Sequence, residues 1–198
     1  MEIVRIKVGI LETNCYIVFT EKNKAFIIDP GDEAGKIKSF IKNNALQVNF
    51  IINTHAHVDH IKADSELAYP IYIHRDDSEA LMYEDKNPST YILGNFVPCQ
   101  PSRLLNDKDV IDFGDKKLNI IHTPGHTPGS ICIKIDNVVF TGDTLFKDGI
   151  GRTDLPKASY NQIIHSIKNK LLSLDDSTMI YPGHGEESSI GRERKNFI

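Results

Sequence analysis

Strand-like apolar runs open the chain. Glu2–Val8, Asn14–Thr20 and Lys24–Asp29 each read as strands, the last ending at Pro30-Gly31, a pair that turns the backbone. A helical period follows over Asp32–Asn44, where Ile37, Phe40 and Ile41 share one face and Asp32 stands in the N-cap position. Val48–Asn53 is short, apolar and β-branched, as expected of a buried strand. The pattern then predicts a helix over Asp59–Leu67, a strand over Ile71–His74 and a helix over Asp76–Tyr83. Glu84–Leu104, with three prolines and little periodicity, is expected to run as a loop over the surface. Strands follow at Val110–Phe113, Lys117–His122, Ser130–Ile135 and Val138–Thr141. Ile163, Ile164, Ile167 and Leu171 mark a helix over Tyr160–Leu172, before a strand at Thr178–Tyr181 and a short C-terminal helix. Strand meanders flanked by separated helices imply a layered α/β architecture with two sheets.

Length and composition narrow this picture. The 198 residues, 40% hydrophobic and 25% charged, suit one domain over residues 1–198, with no repeat or linker to divide it. A domain of this size buries about 70% of its unfolded surface and needs no metal merely to fold, so a metal cluster here is expected to be functional. The net charge of −4 disfavours a nucleic-acid partner. Cys15, Cys99 and Cys132 form neither a disulfide framework nor a metal knuckle, and Cys15 and Cys132 lie in apolar stretches as small buried hydrophobes. The N-terminus has no signal-peptide core and no run approaches ~18 apolar residues, so a cytoplasmic chain with no membrane partner is expected.

The candidate chemistry begins at Asn53-Thr54-His55-Ala56-His57-Val58-Asp59-His60, directly after the Val48–Asn53 strand. In extended backbone His55 and His57 point to one side, and the following helix lets Asp59 and His60 approach the same point from another direction. Imidazole and carboxylate together suit Zn, Fe or Mn. Three more apolar strands end in loops with ligand-type residues: Thr123–Gly129 carries His126, Thr141–Thr144 carries Asp143, and Pro182–Gly185 carries His184. Glycine beside each ligand lets the loops crowd together. His74, His122 and His165 lack such a setting and read as structural or surface residues. Thr54, Thr123 and Thr141 are small polar neighbours expected to orient ligands.

HxHxDH at 55–60, TPGHTPGS at 123–130, TGDTLF at 141–146 and YPGHG at 181–185, in that order, resemble the metallo-β-lactamase-fold superfamily. The chain most resembles its glyoxalase II-like small hydrolases, the hydroxyacylglutathione hydrolase type, and the likeness runs from the NCYIV strand to the terminal SIGRERKNF segment. The resemblance implies a four-layer αββα sandwich of two mixed β-sheets with the metals at one edge. It puts His55, His57 and His126 on one ion and Asp59, His60 and His184 on the other, with Asp143 bridging. Seven ligands are too many for one tetrahedral ion but suit two divalent ions ~3.5–4 Å apart, zinc first, with iron and manganese as alternatives. The implied reaction is hydrolysis of a small-molecule thioester, a small thiol's acyl ester, by a hydroxide held between the ions. Asp59 and Asp143 are its catalytic carboxylates.

Arg152, on a Gly-rich loop nine positions after Asp143, matches a substrate-contacting position of glyoxalase II, though a salt bridge with Asp154 is an equal alternative. Full glyoxalase II enzymes carry a further C-terminal helical domain, whereas 14 residues follow His184 here, so a more open site is expected. Lys62-Ala63 replaces the Gly-Gly pair common in relatives, which would narrow or charge the entrance without removing a ligand. Tyr91, Ile92 and Phe96 are expected to cover the cleft, to support a partner subunit in a homodimer, or to pack on their own domain. A mononuclear iron persulfide dioxygenase, using His55, His126 and Asp143, is the alternative enzyme. A metal-binding module without turnover is the non-enzymatic one.

Overall fold

Strand pairing in the computed structural model, which describes residues 1–197, builds two six-stranded sheets and one short hairpin. The first sheet takes β1 (Glu2–Val8), β2 (Thr13–Phe19), β3 (Lys24–Ile28), β4 (Gln47–Ile52), β5 (Ile71–His74) and β6 (Arg103–Leu105) in sequence order. Its first three strands are antiparallel and the rest run parallel, with helix α1 (Ala34–Asn43) making the crossover between β3 and β4. The second sheet is built from β7 (Val110–Phe113), β8 (Lys116–His122), β9 (Ile131–Ile135), β10 (Val138–Gly142), β13 (Met179–Pro182) and β14 (Ser188–Ser189). Between β10 and β13 lie the hairpin β11 (Leu145–Phe146) and β12 (Gly149–Ile150), then helix α6 (Tyr160–Ser166).

Alternating side-chain direction explains the layers. On β2, Tyr16 and Val18 face the second sheet, meeting Phe26, Phe50, Phe113, Ile133 and Phe140 in the central core. Cys15 and Ile17 face the other way, onto Ile37 and Ile41 of α1 and onto helices α2 (Val58–Ile61), α3 (Asp64–Leu67) and α4 (Ser78–Met82). The outer face of the second sheet, with Cys132, Val139 and Ile180, receives Ile163, Ile167, Leu171 and Ile190 of α7 (Ile190–Arg194). The result is a four-layer αββα sandwich, as the resemblance implies.

Several element boundaries differ from the sequence pattern. Asp32 caps no helix: α1 begins after Glu33, which is left-handed (φ 51°), while Asp32 accepts the Glu33 N–H and pairs with Lys62. The helix expected over 59–67 is two helices, because the Ala63 N–H turns to the carbonyl of Pro30. The expected surface loop over 84–104 contains a 3₁₀ turn at Glu84–Lys86, helix α5 (Thr90–Leu93) and the start of β6. Asn87, Ser89 and Phe96 are buried there, so Phe96 packs on its own chain while Tyr91 and Ile92 are exposed. The helix over 160–172 loosens into a π turn at Ile167–Leu171.

Candidate metal centre

The C-terminal ends of β4, β8, β10 and β13 bring their loops to one point. His55 and His57 leave β4 with their rings edge to face, 4.7 Å between centroids, and α2 presents Asp59 and His60. The loop after β8 brings His126 within 4.7 Å of the His55 ring and 4.5 Å of the His57 ring. Asp143 follows β10, and His184 follows β13. Gly183 makes the last approach feasible, since any side chain there would run into Asp143 and the His60 ring.

The side chains form two triads, His55–His57–His126 and Asp59–His60–His184. Within them His55 Nε2 lies 3.1 Å from His57 Nδ1, His184 Nε2 3.2 Å from Asp59 Oδ2, and His60 Nε2 3.3 Å from His184 Nε2. Asp143 reaches both triads, with Oδ1 3.4 Å from His60 Nε2 and Oδ2 3.5 Å from His126 Nε2 and 3.6 Å from His184 Nε2. Donors about 2.0–2.1 Å from a tetrahedral ion stand about 3.3 Å apart, so these spacings fit divalent metals. The buried His126 Nε2 and Asp143 Oδ1 have no hydrogen-bond partner in the chain, a costly arrangement unless an ion completes it.

Backbone and buried carboxylates aim the rings. His126 Nδ1–H donates to the carbonyl of Arg152 (2.8 Å) and His184 Nδ1–H to that of Leu11 (3.1 Å), which turns each Nε2 inward. Asp29, buried at the end of β3, accepts from Thr54 N–H and Oγ1, both at 2.7 Å, and contacts His60 Nδ1 at 2.9 Å. Thr54 Oγ1 in turn lies 3.1 Å from His55 Nδ1, so one carboxylate steers two ligands. Asp77 joins two ligand loops, accepting from Ala56 N–H, Thr127 Oγ1 and Gly129 N–H. Asn87 donates to the carbonyl of Ala56, and Ser89 Oγ accepts from Val58 N–H. Sequence reasoning misses Asp29, Asp77, Asn87 and Ser89; only Asp29, at a strand end before Pro30-Gly31, carries a comparable signal. Of the three threonines expected to orient ligands, Thr54 touches one. Thr123 bonds to Ser130 and Thr144, and Thr141 to the carbonyl of Leu145.

Charge divides the centre. Burial, and then the neighbouring imidazoles, hold His55 well below its ordinary range and bring His57 down to about 3, so both offer neutral lone pairs. Burial alone would lower His60, but Asp143, Asp59 and Asp29 outweigh it and raise it. Burial would likewise raise Asp143, but His60, His126 and His184 hold it well below the usual carboxylate range. A divalent cation would take over the charge now balanced by protons on this side.

Above the triads lies a cavity of about 490 Å³, with His57, Asp59, His126, Asp143 and His184 on its floor. Arg152 reaches its rim but is held by Asp154 through two bonds, Nε–Oδ1 at 2.7 Å and Nη2–Oδ2 at 2.8 Å. Elsewhere His74 and His122 stack 3.9 Å apart at 13°, near Asp76. His74 Nδ1 accepts from Asp76 N–H and His122 Nε2 donates to the carbonyl of Pro128, so each ring already has a partner within the chain. His165 bonds to Asn169.

The profile of the metallo-beta-lactamase superfamily matches residues 8–184. The hydroxyacylglutathione hydrolase GloC of Haemophilus influenzae is 33% identical over 204 residues, spanning 99% of this chain and 96% of that protein. The solved structure of BLEG-1 B3 metallo-beta-lactamase superposes with a TM-score of 0.90 at 32% identity, covering 98% of this chain and 97% of that one. A di-iron-bound structure of TTHA1623 gives 0.86 at 34% identity, covering 97% of each. Among the described residues, no helix is long and apolar enough to cross a membrane.

Proposed function

The chain belongs to the metallo-beta-lactamase superfamily, and on that premise we propose that it is a dinuclear metal-dependent hydrolase cleaving small-thiol acyl thioesters. The observation that carries this reading is Asp143, whose two oxygens reach into both triads. His55, His57 and His126 would hold one ion and Asp59, His60 and His184 the other, with Asp143 common to both. Zinc suits this donor set, and the di-iron neighbour keeps iron in view. Bound divalent ions supply hydroxide near neutral pH and polarise the acyl carbonyl.

The remaining work falls to the chain. Water adds oxygen to the acyl carbon, the C–S bond breaks, and the thiol leaves with a proton. Asp59, at the cavity floor and accepting from Thr13 Oγ1 at 3.3 Å, is the carboxylate placed to carry that proton. Arg152 stands at the rim, where a thiol half bearing negative charge would compete with Asp154 for the guanidinium. A relative of matching length named as a hydroxyacylglutathione hydrolase supports the thioester class.

The test is the metal-loaded protein assayed for hydrolysis of S-lactoylglutathione and of other small-thiol thioesters, with oxygen uptake on glutathione persulfide run in parallel. Metal-dependent thiol release without oxygen uptake is expected. Oxygen consumption with a single iron per chain, and no thioester cleavage, would replace this reading with the dioxygenase.

A further inference from the structure

The walls of the cavity over the triads have a chemistry that the ligand set does not dictate. Three separate elements turn apolar side chains into it: Leu11 from the β1–β2 turn, Ile92 and Leu93 from α5, and Phe146, Ile150 and Leu155 from the hairpin and the segment after it. Ile92 is 56% exposed and Leu11 46% exposed, an apolar surface left open to solvent directly above the candidate metals.

The walls themselves carry one polar side chain, Ser89, and it is already engaged. Ser89 Oγ accepts from Val58 N–H and donates to Asn87 Oδ1. Arg152, the one Lys or Arg lining the cavity among the described residues, stands at the rim and gives Nε and Nη2 to the two oxygens of Asp154. Outside the candidate ligands and the Arg152 guanidinium at the rim, then, a substrate meets hydrocarbon. A polar substituent buried against such a wall would lose water without gaining a partner.

We infer that this cavity selects thioesters of unsubstituted aliphatic acyl groups over hydroxyacyl ones, the acyl chain lying along Leu11, Ile92, Leu93 and Phe146 with its carbonyl over Asp143. This rests on the thioesterase reading, and it adds the class of acyl group. A volume of about 490 Å³ lies in the range of small-molecule sites and leaves room for more than an acetyl group. Each methylene that enters should raise kcat/KM about two- to fourfold, up to the length that fills the cavity.

The experiment uses esters of one neutral thiol, N-acetylcysteamine, with acetyl, butyryl, hexanoyl and lactoyl groups, on the metal-loaded protein. Calorimetry on protein with and without metal compares the non-hydrolysable ethyl and hexyl thioethers of the same thiol. The expected result is kcat/KM rising from acetyl to hexanoyl, lactoyl falling below butyryl, and the hexyl thioether binding at least tenfold tighter than the ethyl. Ile92→Asn, at an exposed position of α5, should cut the hexanoyl-to-acetyl ratio at least threefold. A flat series with measurable acetyl hydrolysis, or lactoyl fastest, overturns the inference and leaves the hydrolase reading standing. Absence of hydrolysis on every ester, with metals bound, overturns the hydrolase reading; the thioether affinities then decide the apolar site alone, equal affinities refuting it.

Discussion

Asp29 shows how much of the centre depends on one side chain outside the ligand set. Its carboxylate bonds Thr54 and His60 and, through Thr54, sets His55, so two rings on opposite triads share one support. Asp29→Asn should weaken metal binding about 10–100-fold with the fold retained, read by competition with a chromophoric chelator. Unchanged affinity would mean that packing alone orients the rings. Asp64 is a buried carboxyl of another kind. Burial raises it well above the ordinary carboxylate range, against the opposing bond from Asn53. Its ionisation therefore opposes folding once the pH exceeds about 3.9, where the unfolded chain begins to release that proton. Asp64→Asn should raise the melting temperature at pH 8 and less so at pH 5, the difference vanishing below about pH 4. Lower stability of the variant at pH 8 would show that the charge is compensated. The candidate ligands are legible because each lies in a distinctive motif that follows a strand end. Asp29, although at a strand end, and Asp77 are not, because they act across 21 to 52 residues of sequence, a separation no local pattern records.

At the scale of elements, the segment over 84–104 is the clearest gap between sequence and structure. Its prolines and missing period predict a loop, and they hide a 3₁₀ turn, helix α5 and Asn87, whose side chain is buried against the carbonyls of Ala56 and Ala80. Asn87→Ala should cost about 1–3 kcal/mol in thermal or denaturant unfolding and loosen metal retention, since it strands a carbonyl inside the HxHxDH turn. Stability within error of the parent would assign that support to Ser89. Helix ends were misread for a related reason: the Ala63 N–H and the Asp32 carboxylate find partners from other parts of the fold. The loop after Asp143 has two roles. The Arg152 carbonyl sets His126, whereas its half-exposed side chain pairs with Asp154. Arg152→Ala should raise KM by at most a few-fold for a thioester with carboxylates on its thiol half, and leave KM for a neutral thiol ester unchanged. A loss of kcat on both esters would show that the ion pair holds the loop.

Across the whole molecule, the two sheets were legible because their inner strands are short continuous apolar runs, buried on both faces, whose inward residues meet in one central core. Their order was not, since β6 and β14 are too short to leave a pattern and the parallel pairings join distant segments. The arrangement has a single consequence for chemistry: ends of strands from both sheets supply the two triads, and Asp143 joins them. Stepwise addition of Zn²⁺ to metal-stripped protein, with bound ion and thioester turnover read at each step, tests that junction. The account expects two equivalents per chain and a rate that levels off at two. In Asp143→Ala it expects both occupancy and rate lower by orders of magnitude. Binding and rate that saturate together at one equivalent, or an Asp143→Ala variant that keeps two ions and near-native turnover, would contradict it.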